Sequence, residues 1–299
     1  MITLDAHSTL ANPGPKPPII YREMRDELER ARRALGELGK SLKSISGDAA
    51  PPAVHKLRTA ARKVEAIATA LEQLEGKESR RLLKSIGPMR KAAGGVRDMD
   101  VLLTNTRRLA RYSSADSVAR LVEQLEIARR NKANDLRRAL NRKRDAARDN
   151  LKDYSKLVRA EMQPGKHAAA SNGHLSPTLD GIHSAAMNAV RELSAWPPLD
   201  AENIHAFRLK VKGLRYTLQL AGDAAPGLLE TLGDVQRRIG DWHDWQQLNE
   251  IAREILDPER DAALLDRIGR TTGRRFDRAL AAAGALRAKY LATPFIAGI

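Results

Sequence analysis

Two short stretches of the chain carry a histidine followed by basic residues at matching spacing. VHKLRTAARK begins at Val54, and IHAFRLKVKGLRY begins at Ile204. In each stretch the charged residues follow the apolar positions by one, so a helix would hold them along the edge of its buried face. The members of the two basic bands are His55, Arg58 and Arg62, and His205, Arg208, Lys212 and Arg215. Guanidinium and ammonium groups in such a band can bind phosphate or carboxylate oxygens.

Two interpretations of these bands remain open. Cations near a packed seam lose hydration and repel one another, at a cost of about 1 kcal/mol or more. A structural ion network could offset that cost through the carboxylates of Asp98, Asp100, Asp241 and Asp244. Alternatively, the bands face a shared groove and neutralise a bound polyanion, an interpretation that their recurrence favours. Further cations that could line this groove are Arg90, Lys91, Arg97, Arg237, Arg238 and His243.

The histidines admit several roles. His55 and His205 could orient a neighbour, contact phosphate, accept a phosphoryl group or bind a metal. Metal binding is the weakest of these, because neither a His-x3-His pair nor a His-Glu-x2-His motif occurs and the nearby positive charge repels cations. We expect Asp98 and Asp244 to hold the basic side chains in place rather than to act as a catalytic pair.

Composition points to a soluble protein with a polyanionic partner. The 299 residues include 52 Lys and Arg against 37 Asp and Glu, giving a formal charge of +15, and contain no cysteine. Disulfides, thiolate metal sites and cysteine nucleophiles are therefore excluded, and the cytoplasm is the expected compartment. No apolar stretch is long enough to span a bilayer. Aromatic residues make up only 4% of the chain, which argues against recognition of nucleic-acid bases by stacking.

Helical periodicity predicts an all-α protein with eight helices. Residues 1–18 are expected to form a flexible tail, and residues 163–175 a linker between helical repeats at about 19–162 and 176–291. The predicted second and sixth helices carry the two basic bands. The sixth helix is predicted from about Ala201 and the eighth from about Pro258. The long fourth helix contains 11 basic and 6 acidic residues from Asp116 to Lys152, which we interpret mainly as a solvated face.

An internal repeat relates the two sets of helices. The second helix matches the sixth at an offset of 150 residues, and LLKSIGPMRKAAGGVRD from Leu82 aligns with LLETLGDVQRRIGDWHD from Leu228 at an offset of 146. Identical positions in the second block include Gly87 and Gly233, Gly94 and Gly240, and Asp98 and Asp244. We therefore predict two four-helix bundles related by approximate two-fold symmetry.

These motifs resemble the paired signatures of the CHAD domain, the conserved histidine α-helical domain. VHKLRTAARK with GGVRDMDVLL, and IHAFRLKVKGLRY with RIGDWHDW, occur in the expected order between Ile19 and about Tyr290. The resemblance implies a single domain over residues 19–291 with a basic central groove that binds inorganic polyphosphate. The family's histidines then fall on His55 and His205. Its basic residues fall on Arg58, Arg62, Lys63, Arg208, Lys212 and Arg215.

The chain departs from the family pattern at three positions. Glu65 stands where an arginine is usual, opposite Arg215 in the repeat, so the groove is expected to be lopsided toward the second half. Gly213 replaces a commonly basic residue, and His243 stands where the family often has asparagine. An acidic Glu-x-Glu-x-Lys motif, the hallmark of a triphosphate tunnel domain, is absent from this sequence, which favours a stand-alone CHAD protein.

The leading hypothesis is non-enzymatic binding of inorganic polyphosphate, without a cofactor, in the cytoplasm or at polyphosphate granules. Binding to nucleic-acid backbones is the first rival, since the same charge attracts any phosphate polymer. A metal-dependent phosphohydrolase or a histidine phosphotransfer protein is the second. The sequence contains no phosphate-cradling glycine loop or metal-ligand spacing that would support this enzyme.

Overall fold

A computed structural model describes residues 19–46, 49–70, 77–111, 113–161, 177–221 and 226–291. These residues form eight α-helices and no strand, which confirms the predicted all-α class. The helices are α1 (Ile19–Ser44), α2 (Pro51–Ala70), α3 (Lys77–Leu109), α4 (Ala115–Glu161), α5 (Pro177–Ser194), α6 (Ile204–Ala221), α7 (Pro226–Ile255) and α8 (Ala262–Tyr290). The predicted tail, 1–18, and linker, 163–175, lie outside the described residues.

Three buried apolar clusters organise these helices. One cluster is built from α1 to α4 and a second from α5 to α8, so each set of four helices has its own core. The third cluster draws on α3, α4, α7 and α8 and joins the two halves, with Leu121, Trp245 and Ile268 among its members. Contacts between α2 and α6 and between α3 and α7 complete the junction. The approximate two-fold relation between the halves stays a prediction.

Two helices begin later than their periodicity suggests, for the same physical reason. Helix α6 is predicted from Ala201 but starts at Ile204, after a turn in which the Asp200 carboxylate accepts hydrogen bonds from the backbone N–H groups of Glu202 and Asn203. Helix α8 was expected from Pro258 but starts at Ala262, after Asp257 makes the equivalent bonds to residues 259 and 260. An aspartate that accepts from the second and third backbone N–H groups after it caps the turn between them, so each of these helices is preceded by a capped turn.

The apolar stripes of α2 and α6 anchor the basic bands. Leu57, Ala61, Phe207 and Val211 are all at most 1% exposed. The basic residues one position later, Arg58, Arg62, Arg208 and Lys212, are each half-buried. Burial of the stripe therefore fixes the rotation of each helix and places its cations on the shoulder that faces the other half.

Candidate functional site

Arg58 and Arg62 of α2 lie close enough to Arg208 and Lys212 of α6 for their charges to interact across the junction of the two halves. We call these four residues the central cluster. Burial lowers the pKa of Arg58 and of Arg208, and neighbouring guanidinium groups lower both further. The pKa of Lys212 falls from 10.5 to about 8, first through burial and then through the charges of Arg62 and Arg208. The free protein thus holds four like charges together with reduced hydration.

Glycines on α3 and α7 make room for the arginines of the central cluster. A Cβ atom placed on Gly240 would lie 3.0 Å from Nη2 of Arg208, and one placed on Gly94 would lie 3.8 Å from Nε of Arg58. The guanidinium groups therefore lie against bare helix backbone. The repeat identified Gly94 and Gly240 as matching positions, but the sequence argument gave them no role. A signal for this role was present in the sequence, because Gly94 and Gly240 recur in the repeat together with Arg58 and Arg208 on the neighbouring helices.

Gln236 accepts hydrogen bonds from both arginines of α6. Nε of Arg208 donates to the Gln236 backbone carbonyl at 3.2 Å, and Nη1 of Arg215 donates to the Gln236 side-chain oxygen at 3.2 Å. The Arg215 guanidinium also lies over Gly233, whose added Cβ would be 3.5 Å from Cζ. Sequence reasoning missed Gln236, because an uncharged residue on another helix carries no periodic or charge signal.

In the first half, the residue on α2 that matches Arg215 carries a negative charge. Glu65, the counterpart of Arg215, forms an ion pair with Arg90, whose Nη2 lies 3.1 Å from Oε1. Arg90 is itself the counterpart of Gln236 at the offset of 146 residues. Next to this pair, a Cβ on Gly87 would meet nothing within 4 Å. In the second half, an arginine on α6 is therefore held by an amide on α7. In the first half, a carboxylate on α2 pairs instead with an arginine on α3.

The two predicted histidines have different surroundings. His205 is half-buried, and its ring centroid lies 4.9 Å from that of His243, whereas His55 is exposed. Burial and the Arg208 charge lower the pKa of His205, and burial together with His205 lowers the pKa of His243. Nδ1 of His205 is buried without a hydrogen-bond partner among the described residues. The counterpart of His243 in the first half is Arg97, which is half-buried.

Asp98 and Asp244 interact electrostatically with the arginines of the central cluster. Asp244 raises the pKa of Arg208, and Asp98 raises the pKa of Arg58, so each carboxylate partly offsets the repulsion between the arginines. Burial, reinforced by Asp98, raises the pKa of Asp244 to about 6. The other two carboxylates of the sequence-based ion network pair elsewhere. Asp100 binds Arg129 at 2.6 Å, and Asp241 binds Arg275.

An open cleft of about 530 Å³ borders the central cluster. Arg58 and Arg62 line one wall, Arg215 and Tyr216 another, and α1 contributes the third. The α1 wall includes Arg30 and Arg33, which the sequence argument did not select because α1 lies outside the repeated motifs. The cleft therefore extends the positive surface of the cluster toward α1.

A model of the CHAD domain matches residues 29–253, which is more than half of the chain. The chain belongs to the CHAD domain family. The match begins within α1 and ends within α7, so it is shorter than the range of 19–291 expected from the sequence. No curated protein matches the chain.

Two solved structures share the fold of this CHAD domain at low sequence identity. One is PptA from Streptomyces chartreusis, with 17% identity and a TM-score of 0.63, covering 89% of this chain and 99% of its own. The other is the CHAD domain from the plant Ricinus communis, with 16% identity and a TM-score of 0.60, covering 94% of this chain and 92% of its own. At these identities the likeness establishes the fold, and the roles of individual residues rest on this chain's geometry.

The remaining predicted site residues of the CHAD domain lie at its surface. Lys63 is exposed and pairs with Glu37 at 2.9 Å, and Lys91 is also exposed. Arg237 and Arg238 are exposed and both bind Asp234 on their own helix. Ion pairs this exposed contribute about 0–1 kcal/mol, so a polyanion can compete for these cations.

Neither a metal cluster nor a membrane span is found in the described part of the chain. None of its residues forms a group of three or more His, Asp or Glu side chains suited to a metal ion. Among the described helices, none is both long and apolar enough to cross a membrane.

Proposed function

We propose that this CHAD domain binds inorganic polyphosphate through the central cluster and leaves the polymer chemically unchanged. The observation that carries the proposal is the convergence of Arg58, Arg62, Arg208 and Lys212 from both halves in a half-buried, mutually repelling arrangement. Phosphate oxygens placed among these groups would replace the lost hydration and remove the repulsion. Family membership, with the polyphosphate binding implied by the resemblance, supports the same ligand.

A linear polyphosphate suits the cluster better than a nucleic acid. Polyphosphate carries charge on every repeating unit and no bases, so guanidinium and ammonium groups can bind it along its length without stacking surfaces. Tyr216, an aromatic residue on α6, lies beneath the Lys212 ammonium, with Nζ 5.5 Å from its ring centroid. Its ring face is thus directed at a cation of the protein itself.

The test compares two double charge reversals. Arg62→Glu with Lys212→Glu should weaken polyphosphate binding at least about a hundredfold, since each lost charge-assisted hydrogen bond contributes about 1.5–3 kcal/mol. Lys56→Glu with Lys84→Glu is the matched control, because both lysines are exposed and neither lines the cleft beside the cluster. Calorimetry at fixed salt measures affinity, and circular dichroism checks helix content. Equal affinities of the two folded variants would refute the proposal.

Two further measurements separate the rivals. Competition between long-chain polyphosphate and duplex DNA at equal phosphate concentration and fixed salt should favour polyphosphate, and equal displacement would indicate a generic polyanion binder. Incubation of labelled polyphosphate with the protein and Mg²⁺ or Mn²⁺ should leave the chain length unchanged. Chain shortening or a labelled histidine would instead indicate an enzyme.

A further inference from the structure

A second basic cleft, of about 820 Å³, runs between α1 and the C-terminal part of α4. It shares no lining residue with the cleft beside the central cluster. Two of its lining residues are acidic, Asp145 and Asp149. The six basic ones are Arg32, Lys43, Arg148, Lys152, Lys156 and Arg159. The cleft therefore has a clear excess of positive charge that the repeat and the central cluster do not explain.

Most of these cations are available to an anion. Lys43, Lys152 and Arg159 form no ion pair with any other described residue. Arg32 and Arg148 each have only one carboxylate oxygen near the limit of an ion pair, at 3.9 Å, from a neighbour on the same helix. All six side chains are exposed. Pairs of this kind contribute little to stability, so the cost of exchanging them for a ligand is small.

The shape of the cleft suits an elongated polyanion. The outermost cations on each helix are eleven positions apart, which corresponds to about 17 Å at 1.5 Å per residue. On α1, Gly36 and Gly39 lie between the two basic ends, and a Cβ on Gly36 would meet nothing within 4 Å. The two glycines therefore leave only backbone at these points of the wall, while positive groups remain at both ends and along α4.

The chemistry of the cleft argues against a protein partner. Its large apolar residues, Leu35, Leu151 and Val158, are at most 6% exposed, and its lining includes no aromatic side chain. Stable protein interfaces depend on aromatic or aliphatic anchors that become buried. A ligand that carries its charge along its own backbone needs no such anchor.

We propose that the α1–α4 cleft is a second binding site for inorganic polyphosphate, an inference that rests on the proposed function. Helix α1 connects the two sites, because Arg32 lines this cleft and Arg33 lines the cleft beside the central cluster. Consecutive helical residues point about 100° apart, so both cations border the exposed side of α1. A long polyphosphate crosses this side and occupies both sites, and its second contact benefits from a high effective concentration.

The test uses short linear polyphosphate, titrated by calorimetry into the full chain. The wild type should bind two short chains per protein, and Lys43→Glu with Lys152→Glu and Arg159→Glu should bind one. The matched control reverses Arg108, Arg253 and Arg278 to glutamate, three exposed arginines that line neither cleft, and should still bind two. For long chains the cleft variant should bind more weakly than the wild type. The slope of log K against log salt should be smaller by about two, because each of the three lost contacts contributes about 0.7.

Each outcome bears on one proposal. A wild type with one site, or a folded cleft variant with two, overturns the second site and leaves the proposed function standing. The central variant Arg62→Glu with Lys212→Glu should keep one site, in the α1–α4 cleft. If it keeps two, the proposed function fails independently of the cleft. Duplex DNA that displaces short polyphosphate from this central variant at equal phosphate concentration overturns the assignment of polyphosphate as the ligand of the cleft.

Discussion

Replacing Lys212 by methionine is expected to stabilise the folded protein while weakening polyphosphate binding. Methionine keeps an unbranched apolar chain in place of the lysine stem, so the change removes the charge and little packing. The pKa of Lys212 in the folded protein is about 8, against 10.5 for an unperturbed lysine. At about 1.4 kcal/mol per pKa unit this difference corresponds to about 3 kcal/mol. The cation–π contact with Tyr216 offsets about 0.5–1 kcal/mol, and solvent screening of this half-buried charge removes part of the rest, which leaves a gain of about 2 kcal/mol.

The sign of this effect gives it a distinct pH dependence. Below pH 8 Lys212 is protonated in both states, so the folded protein bears the full cost of the charge. Between about pH 8 and pH 10.5 the folded protein releases this proton before the unfolded chain does. The free energy of unfolding contributed by Lys212 therefore rises with pH across this window, because the unfolded chain binds more protons. The methionine variant lacks that rise.

Urea unfolding followed by circular dichroism measures both effects. The stability difference between Lys212→Met and the wild type should be about 2 kcal/mol at pH 7 and should vanish toward pH 10.5. Lys210→Met is the matched control, since Lys210 is exposed on the same helix and pairs with Glu192 at 2.5 Å. It should be no more stable than the wild type. A Lys212→Met variant that is no more stable than the wild type at pH 7 would refute the reasoning that this charge is held at a cost.

Three other substitutions test how the central cluster is positioned. Gly240→Ala should weaken polyphosphate binding about tenfold, because its Cβ, 3.0 Å from Nη2, displaces the Arg208 guanidinium. Gly94→Ala, with 3.8 Å of room, should raise helix stability by about 0.5–1 kcal/mol at unchanged affinity, and calorimetry that finds equal affinities for the two variants would contradict this. Glu65→Gln should raise affinity up to about fivefold, because it removes a carboxylate whose charge reaches Lys212. A lower affinity would indicate that the ion pair of Glu65 positions the site.

The sequence was sufficient to predict the elements and the repeated features that recur along the chain. Apolar spacing predicted the helices, and the residue following each stripe position predicted which shoulder of α2 and α6 carries the cations. The late start of α6 was missed because it depends on Asp200 binding two backbone groups that periodicity does not register. The role of Gln236 and the second basic cleft depend on which helices pack together. The packing of helices against one another belongs to the tertiary structure, and the spacing of residues along one helix does not encode it.

Both halves have a contact between matching residues of neighbouring helices, but the charged residue lies on a different helix in each half. This difference makes the proposed site asymmetric. In the second half the cation is Arg215 on α6, held by the amide of Gln236; in the first half it is Arg90 on α3, paired with Glu65. Only Arg215 of these four lines the cleft that continues to the arginines of α1. A polyphosphate bound at the central cluster would therefore meet a carboxylate at Glu65 and, past Arg215, a cleft in which Arg30 and Arg33 outnumber the one carboxylate of Glu37. We therefore expect the charge swap to favour a long chain that runs over α1, toward the α1–α4 cleft.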